Sequence, residues 1–171
     1  EVQFCPAKAR AMELGIPVLQ PKSLKDPAFL EELRPFGADI YAVVAYGSLI
    51  PRSVFDHPPL KTINLHPSLL PKYRGAAPVQ WALIRGERES GITVQLINEK
   101  LDAGDIVVQE RLAMDGTMTA ADVMEIVSAR GAELIDRAAG ILASGSAIPL
   151  KQDESQATHC GKIDRDVAMI D

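Results

Sequence analysis

Ile63-Asn64-Leu65-His66-Pro67-Ser68-Leu69-Leu70-Pro71-Lys72-Tyr73-Arg74-Gly75-Ala76-Ala77-Pro78 begins as an apolar strand and ends as a loop punctuated by proline and glycine. An amide and an imidazole stand two residues apart where the strand runs out. Residues two apart on a strand point to the same face. Asn64 and His66 are therefore predicted to project into one small volume at the strand's end, where open α/β sheets place their sites.

Outward from this stretch, strand-like and helix-like segments alternate. Upstream, Ile40 to Tyr46 is almost wholly apolar, as suits a strand covered on both faces. Before it, Asp26-Pro27 opens a short helix with Phe29, Leu30 and Leu33 at helical spacing. Ile16 to Leu19 reads as a short strand, and Pro6 to Leu14 as a helix stopped by Gly15. Downstream, Pro78 to Arg85 is predicted to be a helix with Val79, Leu83 and Ile84 inward. Gly91 to Ile97 and Ile106 to Leu112 read as strands, joined by the polar loop Asn98 to Asp105. Thr119-x-x-Asp122 is a capping-box start to the longest helix, whose stripe includes Val123, Val127, Leu134 and Ala138. From Pro149 onward the chain is polar and irregular. The alternation predicts an α/β fold with a Rossmann-like, open and mostly parallel sheet flanked by helices. Such sheets usually open on an apolar strand running into a glycine turn, whereas this chain opens on a helix. The first strands are thus expected to be missing.

At 171 residues the chain fits one domain with a real core. A net charge of −5 and pI near 5.2 argue against a nucleic-acid grip made mainly by its own basic surface, though not against a local patch. Cys5 and Cys160 have neither CxxC nor metal-ligand spacing and read as ordinary reduced thiols, with no metal implied. There is no run of about 18 apolar residues, hence no predicted membrane span. Glu1-Val2-Gln3-Phe4 carries no basic-then-apolar secretion signal. These features together predict a cytoplasmic protein.

Asp102, in Leu101-Asp102-Ala103-Gly104-Asp105, falls in the loop after the strand that follows Asn64 and His66. If neighbouring strands present their loops at one end, Asp102 comes beside His66. Amide, imidazole and carboxylate together suit acyl transfer to an amine. Asn64 can donate to the oxygen on which charge collects. A protonated His66 can do likewise, or pass a proton to the leaving nitrogen. Asp102 can pair with the charged ring or take the amine's proton, directly or through water. No serine or cysteine nucleophile is required. Taken singly, each residue also has a plain structural use: His66 as a hydrogen-bonded strand end, Asn64 and Asp102 as turn formers.

The run Asn64 to Gly75 resembles the signature of the folate-dependent formyltransferases, and Leu101 to Asp105 resembles their second motif at the matching separation. The resemblance extends from about Pro6 to Asp171. Gly75 to Trp81, Gly15 to Pro21 and Val43 to Pro51 are most similar to the branch that formylates methionine on initiator tRNA. The resemblance implies transfer of a formyl group from 10-formyltetrahydrofolate to that methionine's amino group, with Asn64, His66 and Asp102 as catalytic trio. It implies folate contacts from Ser68, Leu69, Leu70 and Pro71. A pterin-side wall would come from Tyr46, Gly47 and Leu49 and from the loop holding Asn98 and Leu101. It implies initiator methionyl-tRNA as partner, bound mainly through parts outside this chain, and a monomer. Residues 1–160 are then expected to be a catalytic domain incomplete at its N-terminus, and 161–171 the start of a linker to a further domain. The alternatives are a sugar-nucleotide or other amine formyltransferase with the same donor, or an inactive folate-binding fragment.

Overall fold

The computed structural model describes residues 4–168; the outer ends of both predicted segments, residues 1–3 and 169–171, lie outside the described residues. The chain forms two compact units, residues 1–35 and 36–171.

The first unit holds helices α1 (Pro6–Glu13) and α2 (Pro27–Leu33). Asp26 caps α2, its carboxylate accepting from the Ala28 N–H at 3.0 Å. Ile16 to Leu19 does not form the predicted strand. Its residues are exposed and irregular. They pair with no strand among the described residues, and Pro17 has no N–H to offer one.

The second unit is built on a four-stranded sheet in the order β1 (Tyr41–Val44), β2 (Thr62–His66), β4 (Glu89–Leu96), β5 (Ile106–Ala113). The α/β class with flanking helices is as expected. The pairing is more mixed than the alternation suggests. β1 and β2 run parallel, as do the short strands β3 (Arg74–Gly75) and β6 (His159–Cys160), whereas β4 is antiparallel to both β2 and β5. β4 and β5 are joined by residues 97–105 alone, too short for the crossover of about a dozen residues that a parallel return needs.

The sheet has one apolar and one polar face. Ile63 and Leu65 of β2 face the core with Val94 of β4 and Val108 and Leu112 of β5. Helix α5 (Ala120–Ala143) lies across this face, burying Val123, Val127, Leu134 and Ala138. Gly131 brings the α5 backbone against Leu65, where a Cβ would meet the leucine Cδ1 at 2.8 Å. The predicted capping box is present, Thr119 and Asp122 each satisfying the other's backbone N–H. Helix α4 (Pro78–Ile84) buries Val79 and Ala82 but leaves Ile84 57% exposed, against expectation. Ile84 follows Val79 by five residues, which is about 140° around a helix. β1 has only β2 beside it, and Ala42 and Val44 are exposed, so the double cover expected for this strand is not met. α5 packs against β2, β4 and β5 rather than against β1.

The tail is more ordered than its polarity suggests. Leu150 exchanges two backbone hydrogen bonds with Ile106, each 2.8 Å, and β6 pairs with β3. Cys160 is buried there, and burial pushes its thiol above the usual range.

Two outcomes follow from this packing. Leu134→Ala should cost about 2–5 kcal/mol in urea unfolding, as expected for a cavity in a packed core. Under native conditions at pH 8, iodoacetamide should label exposed Cys5 at least about tenfold faster than Cys160, since the thiolate is the nucleophile. Mass spectrometry of the labelled peptides checks this, and equal rates would show that the tail is not seated on β3.

Candidate active site

The polar face of the sheet positions the site. Asn64 stands opposite Gln95 and His66 opposite Thr93 in the β2–β4 register, so these four side chains share one face. The register slips between Val94 and Gln95, with Val94 opposite Val108 and Gln95 opposite Ile106. The resulting bulge lies beside the site, where it re-aims the residues at the end of β4.

The loop after β2 folds back over this face and is pinned to it. Thr93 Oγ1 donates to the Ser68 carbonyl at 2.6 Å and accepts from the Leu70 N–H at 3.3 Å. Gln109 of β5 donates to the Leu70 carbonyl at 3.0 Å. Ser68 is fully buried, its hydroxyl bonded to the Lys72 carbonyl at 2.7 Å. Tyr73 then presents its carbonyl to His66 Nε2 at 2.8 Å. A carbonyl can only accept, so Nε2 carries the hydrogen and Nδ1 is the ring atom turned toward Asp102.

Asp102 sits in the β4–β5 connection with a left-handed backbone, φ 49°. Its Oδ2 lies 3.6 Å from His66 Nδ1, within ion-pair range, and the two side chains are 10% and 5% exposed. The Gly75 N–H donates to the same Oδ2 at 2.9 Å, and Gln95 Nε2 donates to Oδ1 at 3.1 Å. Two glycines permit this closeness. A Cβ on Gly75, φ 122°, would overlap the Cys160 carbonyl, and one on Gly104 would overlap the Leu96 carbonyl. The structure thus brings His66 and Asp102 together and sets Asn64 on their face, opposite the glutamine that holds Asp102.

The residues expected around a folate are placed in two ways. Ser68 and Leu70 are buried and internally bonded, while Leu69 and Pro71 are half-buried on the same loop. Tyr46, Gly47, Leu49, Asn98 and Leu101 are exposed, Leu49 at 76% and Leu101 at 56%. A cleft of about 540 Å³ opens beside the Asp102 loop. Charged groups, among them Arg52, Asp56, Lys100, Asp105 and Lys151, make up most of its lining, with Phe55, Ile97, Asn98, Ala103 and Gln152 between them; Asn64, His66 and Asp102 are not part of it. Among the described residues no cluster of three or more His, Cys, Asp or Glu could hold a metal ion. No described helix is long and apolar enough to cross a membrane.

Sequence reasoning missed Gln95, Thr93 and Gln152. The first two had a signal: polar residues at period two in the otherwise apolar run Gly91 to Ile97. Gln152 had none, lying in a polar tail far from the motifs it touches.

Comparison with known proteins extends the geometry. The methionyl-tRNA formyltransferases of Nitrobacter hamburgensis and Bradyrhizobium diazoefficiens are each 45% identical over 171 residues, all of this chain and 55% of theirs. The chain therefore spans about half the length of the curated relatives it matches. Aquifex aeolicus HypX, solved in complex with tetrahydrofolic acid, superposes with a TM-score of 0.74 at 24% identity, over 83% of this chain and 24% of that one. That likeness is one of fold. The formyl transferase family model matches residues 2–138, which include the polar sheet end, both motifs and most of α5. With so much of the chain matched, it belongs to the formyl transferase family.

Proposed function

We propose that this chain is the catalytic part of a methionyl-tRNA formyltransferase, moving a formyl group from 10-formyltetrahydrofolate to the α-amino group of methionine on initiator tRNA. The observation that carries the reading is the buried His66–Asp102 pair on the face that also bears Asn64. The cleft beside the Asp102 loop has the volume for a small molecule; its lining is mostly charged, with Phe55 and Ile97 as its apolar part. The acceptor follows from the relatives, which are named for methionyl-tRNA and resemble this chain along its whole length. tRNA binding is assigned mainly to parts outside this chain, given its net charge of −5. The two unpaired cysteines fit a reducing cytoplasm.

10-formyltetrahydrofolate supplies the formyl carbon, which exchanges its bond to N10 for a bond to the methionine nitrogen while negative charge passes over the formyl oxygen. Asn64 donates its amide hydrogens to that oxygen, where a donor counts most in a site shielded from water. His66 is fixed by the Tyr73 carbonyl through Nε2, so its Nδ1 is the atom that can carry and release a proton. Asp102 pairs with that nitrogen when it is charged, and its carboxylate is the acceptor for the proton the amine gives up. The hydrogen bonds from Gly75 and Gln95 keep the carboxylate aimed. The exposed Tyr46, Gly47, Leu49, Asn98 and Leu101, with Leu69 and Pro71, form the folate-facing rim; Ser68 and Leu70 hold the rim's shape from beneath.

His66→Ala, Asp102→Ala and Asn64→Ala in the intact enzyme should each lower kcat by at least about a hundredfold, the scale of losing one positioned donor or proton carrier. Folate affinity by calorimetry should stay within a few fold. Near-normal turnover in any of the three would refute its role. Formylation of a nucleotide sugar in preference to methionyl-tRNA would refute the acceptor.

A further inference from the structure

The family match ends at residue 138, yet the site does not. Gln152 comes fifty positions after Asp102 and is 7% exposed. Its amide nitrogen is within hydrogen-bond distance of three oxygens: the Asp102 carbonyl at 3.0 Å, the Gly104 carbonyl at 2.7 Å and Gln95 Oε1 at 3.1 Å. Gln95 is the residue whose own Nε2 holds Asp102 Oδ1. Gln95 Oε1 also accepts the Gly104 N–H, at 3.1 Å. The two amide hydrogens of one side chain are thus shared among three oxygens, two of them backbone carbonyls of the Asp102 loop and the third on the glutamine that aims the carboxylate.

Gln152 is itself held. Its Oε1 accepts from Arg74 Nε at 3.1 Å and Nη2 at 2.8 Å. Arg74 is 3% exposed and forks onto Glu154, with Nη1–Oε2 at 3.1 Å and Nη2–Oε1 at 2.9 Å. Arg74 holds the Glu154 carboxyl below the usual carboxylate range, so the fork is charged at neutral pH. Arg74 also immediately precedes Gly75, whose N–H holds Asp102 Oδ2. That segment is fastened in turn by β6, through the Arg74 N–H to the Thr158 carbonyl at 2.9 Å and the Ala76 N–H to the Cys160 carbonyl at 3.2 Å. Both hydrogen bonds that orient the Asp102 carboxylate thus trace back to residues 150–160.

We propose that Gln152 is a positioning residue for the Asp102 carboxylate, and that the segment 150–160 completes the site by holding Asp102 from two sides. The inference rests on the formyl-transfer reading for its effect on rate, but not for the geometry it predicts. A glutamine suits the role because its amide oxygen accepts from the guanidinium while its amide nitrogen donates to carbonyls.

Gln152→Glu separates the two halves. It keeps an acceptor for Arg74 and removes the donor from the Asp102 loop, and a cooperative urea transition by circular dichroism verifies that the variant is folded. In the intact protein, kcat should fall about tenfold, a modest misplacement of one catalytic group, with KM for folate within about twofold. Amide exchange followed by NMR should speed up about tenfold or more at Gly75 and Gly104, with Val94 in β4 unchanged. Glu154→Gln, which keeps an acceptor for the buried Arg74, should give the same pattern at a few fold. Wild-type exchange at Gly75 and Gly104 in both variants overturns the proposal. So does faster exchange with wild-type kcat, which would make Gln152 a purely structural residue. If the wild-type protein transfers no formyl group, the functional reading fails, and the exchange measurement alone decides whether Gln152 holds Asp102.

Discussion

A carboxylate and an imidazole held 3.6 Å apart, both nearly withdrawn from water, are the constraint to which the rest of this structure answers. Removing ionisable groups from solvent is unfavourable unless their remaining hydrogen-bonding capacity is met. Each oxygen of Asp102 has a donor, and His66 Nε2 has an acceptor. Among the described residues no buried side-chain nitrogen or oxygen lacks a partner. Supplying those partners draws in β3, β4, the connection that carries Asp102 and the tail.

This explains the unequal faces of the sheet. The face under α5 is ordinary core, where valines, leucines and isoleucines exclude water and no single contact is decisive. The other carries Thr93, Gln95 and Gln109 at strand spacing, and each bonds a loop segment rather than another side of the core. Polar residues buried in a strand normally weaken it. Here they replace water as partners for the loops that make the site, so the site is firm although most of it is not regular secondary structure. Gly75 and Gly104 belong to the same design, since a Cβ at either position would push apart the backbones that must touch.

Much of this was legible in the chain. The strand ending at His66, the Thr119 capping box and the α5 stripe follow from local periodicity. His66 and Asp102 do meet, but not by loops at one end of neighbouring strands: β4 is antiparallel to β2, so the connection carrying Asp102 leaves from the opposite end and folds back over the polar face. The misreadings have physical reasons. Ile16 to Leu19 has strand composition but pairs with no strand among the described residues, and a strand exists only through its partner. Ile84 looks apolar enough to be core, but its turn of the helix faces away from the buried stripe. The apolar run at β1 reads as doubly covered because composition cannot say where a helix ends across a sheet.

The sequence by itself determined most of the elements, the α/β class and the shared strand face of Asn64 and His66, because these depend on neighbours a few residues apart. The antiparallel entry of β4, the fastening of β6 on β3 and the grip of Gln152 on the Asp102 loop were decided only in three dimensions. They join residues about thirty to eighty-five positions apart through backbone ladders and single hydrogen bonds to carbonyls, and a carbonyl is common to every residue. No side-chain pattern marks which one a distant amide will find.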